Sequence, residues 1–177
     1  MINSGSDSFF WGSTAQDFVV EWNRHSGQPK VSEGAEDLFD GLAENANATQ
    51  SREAMDRLWS TTYSLGNWYF AARGALPNVS PFVGVVAGKP YLFAFTDTKR
   101  AEASAWTCVL SCHQQGFAAD GGSVQVLSIP IDGLVENIEQ YASVGVHGIL
   151  FNNGPHGYFA PLANVKPMQK YFVAGRP

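Results

Sequence analysis

Residues 123–157, SVQVLSIPIDGLVENIEQYASVGVHGILFNNGPHG, decide the fold. They read strand, helix, strand, tight loop. Val124, Val126, Leu127, Ile129 and Ile131 form a short run rich in β-branched residues, which fits a strand covered on both faces. Pro130 marks its end, and Asp132 is placed to cap the helix that follows. Leu134, Ile138 and Tyr141, with Val135 and Ala142 beside them, recur at helical spacing and make one apolar stripe. Gly145 stands where a helix is expected to stop on glycine. Residues 148–152 read as a second apolar strand, and Asn153-Gly154-Pro155 is turn chemistry. Two short strands joined by one helix predict a βαβ unit with a right-handed crossover.

Downstream, residues 158–160 are expected to return as a strand antiparallel to 148–152. A short element follows over 163–171, and 174–177 is expected to fray. Upstream, residues 67–73 (NWYFAAR) are rich in strand formers. Residues 82–87 and 91–96 are apolar runs joined at Gly88-Lys89-Pro90, which predicts a β-hairpin. Thr96-Asp97-Thr98 offers caps for a helix carrying a small-residue stripe, Ala101, Ala105, Cys108 and Cys112. The N-terminal third reads as helical. Helices are predicted over 14–24, over 33–44 with Leu38, Phe39 and Leu42 inward, and over 51–62 with Ala54, Met55, Leu58 and Trp59 inward. A polar spacer separates the last two at 45–50. The fold class is therefore α/β (or α+β): a mixed β-sheet with βαβ units and an N-terminal helical segment. The reading is one domain over 1–177, with a helical extension at 1–50 and an α/β core at 51–173.

Hydrophobic residues make up 45% of the 177, enough for a sizeable core. Charged residues are 15%, below the usual share of about 25%. The net charge is −5 and there is no basic cluster, which argues against nucleic acid as the main partner. The N-terminus has neither a basic start nor a long apolar run, and no segment is long enough to span a bilayer, so no membrane role is expected. Cys108 and Cys112 lie four apart. On a helix that spacing disfavours a disulfide, so both are expected to be reduced, metal-free and mostly buried, in a cytoplasmic setting.

Three segments carry a family resemblance: REAMDRLWSTTYSLGNWYFA, the hairpin ending in YLFAFTD, and GVHGILFNNG after an amphipathic helix. Together they resemble the N-terminal domain of SseB-like proteins, the bacterial "enhanced serine sensitivity" family, over roughly the last two-thirds of the chain. The resemblance implies an α/β fold. It supplies no catalytic set. The family loop after the last strand reads more like Asn-Pro, whereas here it is Asn152-Asn153-Gly154-Pro155.

No cofactor is expected. Cys108, Cys112 and His113 fall short of a zinc set, since a structural site takes four converging ligands. There is no Gly-x-Ser-x-Gly elbow, phosphate loop or dinucleotide fingerprint. Asp97 and Asp132 each follow a strand and precede a helix, so they could line one crevice at the strand ends; helix capping accounts for each equally well. Asn152, Asn153 and His156 lie on a polar, glycine-containing loop, where turn geometry competes with a binding role. Trp59, Trp68, Tyr69 and Phe70 cluster where helix gives way to strand, as core or as a groove for a partner. The leading expectation is a cytoplasmic, non-catalytic binding module for a protein partner or small ligand, with which a homo-oligomer is compatible. The rival is a small hydrolase-like enzyme with a polar site near Asp97, Asp132 and His156.

Overall fold

Strict alternation of side chains about one sheet organises the molecule. The computed structural model describes residues 36–73, 79–112 and 125–173. Helices α1 (Glu36–Thr49) and α2 (Arg52–Tyr63) lead into strands β1 (Asn67–Arg73), β2 (Ser80–Pro81), β3 (Val83–Val86) and β4 (Lys89–Phe95). Helix α3 (Thr98–Cys112) and strand β5 (Val126–Pro130) follow, then the short helices α4 (Ile131–Glu136) and α5 (Ile138–Ser143). Strands β6 (Gly148–Phe151) and β7 (Tyr158–Pro161) and helix α6 (Leu162–Val173) complete the described chain. The predicted helix over 14–24, the loops at 74–78 and 116–123, the end at 174–177 and the side chains of Cys108, Cys112 and His113 lie outside the described residues.

The seven strands form one mixed sheet. Strand β5 pairs antiparallel with β1 from Asn67↔Pro130 to Ala71↔Val126. The other edge of β1 is shared: Tyr69 and Phe70 pair with β4, Ala72 and Arg73 with β2. Strands β2 and β3 are two halves of one bent strand that leaves β1 for β4 at Phe82. The Phe82 N–H donates to the Ala71 carbonyl (2.9 Å), and the Phe93 N–H donates to the Phe82 carbonyl (3.4 Å). Strand β4 then pairs in parallel with β6, and β6 antiparallel with β7, as the returning strand was expected to. The hairpin between β3 and β4 turns at Ala87 and Gly88, both at positive φ (+50° and +75°), the geometry of a type I′ turn.

Trp68, Phe70, Leu92, Ala94, Ile149, Phe151, Tyr158 and Ala160 face one side of the sheet, under α1, α2, α4, α5 and α6. Ala71, Phe93 and Phe95 face the other, under Ala101 and Ala105 of α3. The small stripe of α3 is thus what lets that helix lie close on the sheet. On the larger side the aromatic rings lock edge to face: Trp68 on Phe151 at 4.8 Å between centroids, Trp59 on Tyr158 at 5.1 Å.

Several expectations are corrected. Strands β5 and β6 run in the same direction, but β1 and β4 lie between them, so the opening βαβ reading holds in direction and not in adjacency. The neighbouring parallel pair is β4 and β6. The predicted single helix after β5 is two, broken at Asn137, whose side chain donates to the Gly133 carbonyl at 2.8 Å. Gly145 (φ +88°) does end the second: the Gly145 N–H reaches Ala142 O and the Val146 N–H reaches Tyr141 O, a Schellman closure. The polar spacer at 45–50 is largely helix, because Ala46 continues a buried stripe with Phe39 and Ala43. Leu38 and Met55, expected inward, are exposed. The short element after β7 is a full helix that carries Pro167 within it.

Candidate functional site

Parallel pairing in register, with Ala94 opposite Phe151, brings the carboxyl ends of β4 and β6 side by side. The crevice at such strand ends is where open α/β sheets commonly take ligands. The Asn152 N–H extends the ladder by donating to Ala94 O at 2.9 Å. Asn152 then turns to φ +45°, a conformation asparagine tolerates better than most residues. Its Oδ1 accepts from the Thr96 N–H (3.0 Å) and hydroxyl (3.2 Å), and its Nδ2 donates to Thr96 Oγ1 (3.0 Å). This buried amide clamps the two strand ends together.

Asp97, one residue on, caps α3: its Oδ1 accepts from the Arg100 N–H at 2.8 Å. The Arg100 guanidinium returns to Asp97 Oδ2 at 3.1 Å and reaches Asp40 Oδ1 of α1 at 2.9 Å. Helix α1 is thereby tied to the start of α3. On the larger core face the Thr62 and Tyr158 hydroxyls share a hydrogen bond of 2.8 Å. Burial pushes the Tyr158 phenol well above its ordinary pKa, against smaller opposing effects of the Thr62 hydrogen bond and the Arg100 charge. Burial raises Tyr63 likewise; its hydroxyl donates to Val165 O at 2.9 Å.

The predicted site residues therefore separate. Asp97, Asn152 and Asn153 do share the β4–β6 end, and their polar groups are spent largely on the fold. Asn153 differs: it is 7% exposed and its Nδ2 meets no hydrogen-bond partner. His156 is half-buried on the same loop. Asp132 does not join them. It lies in the first turn of α4, past an N-cap at Pro130 that makes no side-chain bond, and accepts from Gln169 Nε2 of α6 at 2.5 Å. The crevice pairing Asp97 with Asp132 is thus not formed: β1 separates their strands, and α3 and α4 leave on opposite faces. Trp68 is also corrected. It is fully buried, donates from Nε1 to Thr62 O at 3.0 Å, and offers no surface to a partner.

A different concavity opens between α5 and α6, with a volume of about 530 Å³. Its floor is Ile138, Ala142, Leu162 and Ala163; its rim carries Glu139, Lys166, Pro167 and Lys170. Lys166 and Glu139 face each other across it at 3.9 Å, both exposed. The reading from sequence missed this site because Pro167 disguised the helix that forms one wall. The spacing of Lys166 and Lys170, one helical turn apart, was the visible signal.

Among the described residues no cluster of three or more His, Cys, Asp or Glu side chains is placed to hold a metal, and no helix is long and apolar enough to cross a membrane. The chain matches no protein-family model and has no significant match among curated proteins.

Proposed function

We propose that this is a cytoplasmic, non-catalytic α/β binding module, taking a protein partner or small ligand. The observation that carries this reading is the contrast between two concave regions. At the β4–β6 end, Asn152 and Thr96 bond each other, Asp97 caps α3, and Arg100 is ion-paired with Asp97 and Asp40, so these groups are engaged chiefly in holding the fold. The α5–α6 groove is open, apolar at its floor and charged at its rim, the usual make-up of a ligand site, and its volume lies in the usual range of about 300–1,000 Å³.

Amide chemical-shift mapping during titration with sodium octanoate tests the reading. Shifts confined to residues of α5 and α6 are expected. The enzyme reading would prevail if the protein hydrolysed a model ester and His156→Ala abolished that turnover without loss of stability.

A further inference from the structure

A buried polar group without a partner calls for an explanation. Asn153 carries one: it is 7% exposed, and its Nδ2 meets no hydrogen-bond partner among the described residues. Asn153 is followed by Gly154, the one Asn-Gly pair in the 177 residues. Pro155 comes next and has no N–H. The side chain therefore cannot form the Asx turn in which an asparagine oxygen accepts from the residue two positions on. The Gly154 N–H donates no hydrogen bond among the described residues, while its carbonyl accepts from the Gly157 N–H at 3.0 Å. Glycine has no Cβ to shield that nitrogen. Asn152 supplies a contrast within the same loop. It is 5% exposed, but Thr96 Oγ1 holds its Nδ2 at 3.0 Å, and its successor is Asn153 rather than glycine.

We propose that Asn153 is a site of spontaneous deamidation, through a succinimide closed onto Gly154. The Gly154 nitrogen attacks Asn153 Cγ. A Cγ–N bond forms, the Cγ–Nδ2 bond breaks, and Nδ2 leaves as ammonia with the proton from the Gly154 nitrogen. Water then opens the ring at one of its two carbonyls. Opening at Cγ gives aspartate. Opening at the main-chain carbonyl gives an isoaspartyl linkage, which runs through the side chain and lengthens the backbone by a carbon atom. The net change consumes water and releases ammonia, with no oxidant or reductant. Either product disturbs the place where it forms. A carboxylate replaces an amide at a buried position, which costs free energy. The extra carbon enters the short link 152–157, between strands whose register is fixed at Phe151↔Tyr158. The clamp of Asn152 on Thr96 begins that link. Deamidation therefore loosens the β4–β6 end as the protein ages.

Incubation of the full chain in warm, mildly alkaline buffer tests this, followed by peptide mapping with mass spectrometry and by enzymatic methylation of isoaspartate. Asn153 is expected to lose its amide at least about tenfold faster than Asn152, the scale of the one hydrogen bond that Asn152 must break. Isoaspartate should appear at position 153, and Asn153→Gln should remove it. The deamidated form, separated by anion exchange, should unfold at lower urea than the parent. Loss at Asn152 or at any other asparagine before Asn153, or aspartate at 153 without isoaspartate, overturns the inference. So does a rate at Asn153 that rises more than about tenfold when urea unfolds the chain, since the fold would then be holding the amide it is inferred to leave free. A deamidated form as stable as the parent overturns the loosening of the β4–β6 end.

Discussion

Gly148 offers a sharp test of how β6 and β7 pack. It is buried in β6 opposite Pro161, and a Cβ built there would lie 2.6 Å from the Ala160 carbonyl oxygen and closer still to the Phe159 ring edge. The ring is 40% exposed, but swinging it away forfeits its packing on Tyr91 (5.4 Å between centroids) and its stacking on His147 (6.0 Å). The carbonyl is held by the β6–β7 pairing. For Gly148→Ala, overpacking costs about 1–3 kcal/mol and loosened aromatic contacts about 0.5–1.5 kcal/mol. Alanine's better strand entropy recovers about 0.5–1 kcal/mol. The net loss is about 2 kcal/mol, or a fall of roughly 4–8 °C in Tm for a chain of this size. Urea unfolding followed by far-UV circular dichroism measures it. Removing the ring as well, with Phe159→Ala, should return only part of the loss, since the Ala160 carbonyl remains in the way. Stability of Gly148→Ala within about 0.5 kcal/mol of the parent would refute the close approach of the two strands.

Neighbouring asparagines should behave differently: Asn152→Ala strips the Thr96 N–H of its partner and strains a residue at φ +45°, costing about 3 kcal/mol in chemical denaturation, whereas Asn153→Ala should cost under about 1 kcal/mol. Because burial holds the Tyr63 and Tyr158 phenols protonated, the unfolded chain ionises first as pH rises. Stability should be intact below about pH 10 and then fall by about 1.4 kcal/mol per pH unit for each tyrosine, and Tyr63→Phe and Tyr158→Phe should each remove their share of that slope. Asp40→Asn should loosen α1 by about 1 kcal/mol, visible as faster amide exchange in that helix. Pro167→Ala should raise stability by about 1–3 kcal/mol in the same denaturation assay, since it supplies the bond the helix lacks.

Local periodicity determined much of this molecule. The strand-forming residues of NWYFAAR placed β1 with its boundaries unchanged. The spacing of Leu134, Ile138 and Tyr141, and the stop at Gly145, are local properties of the chain and needed no tertiary context. The α/β class with a mixed sheet followed from those patterns. Only the tertiary structure decided which strands are neighbours, because hydrogen-bonded partners far apart in sequence leave no local trace: β1 and β4 intervene between β5 and β6. That one fact parted Asp132 from Asp97. Burial was likewise a collective outcome. Trp68, readable as core or groove, became core once Phe151, Tyr63 and the Thr62 carbonyl closed around it. Asn152 reads as a turn residue locally; its partner Thr96 is 56 positions away, and only parallel pairing of β4 with β6 makes the clamp. Pro167 shows the converse. Proline locally argues against a helix, yet packing of Leu162 and Val165 into the core holds α6 together around it.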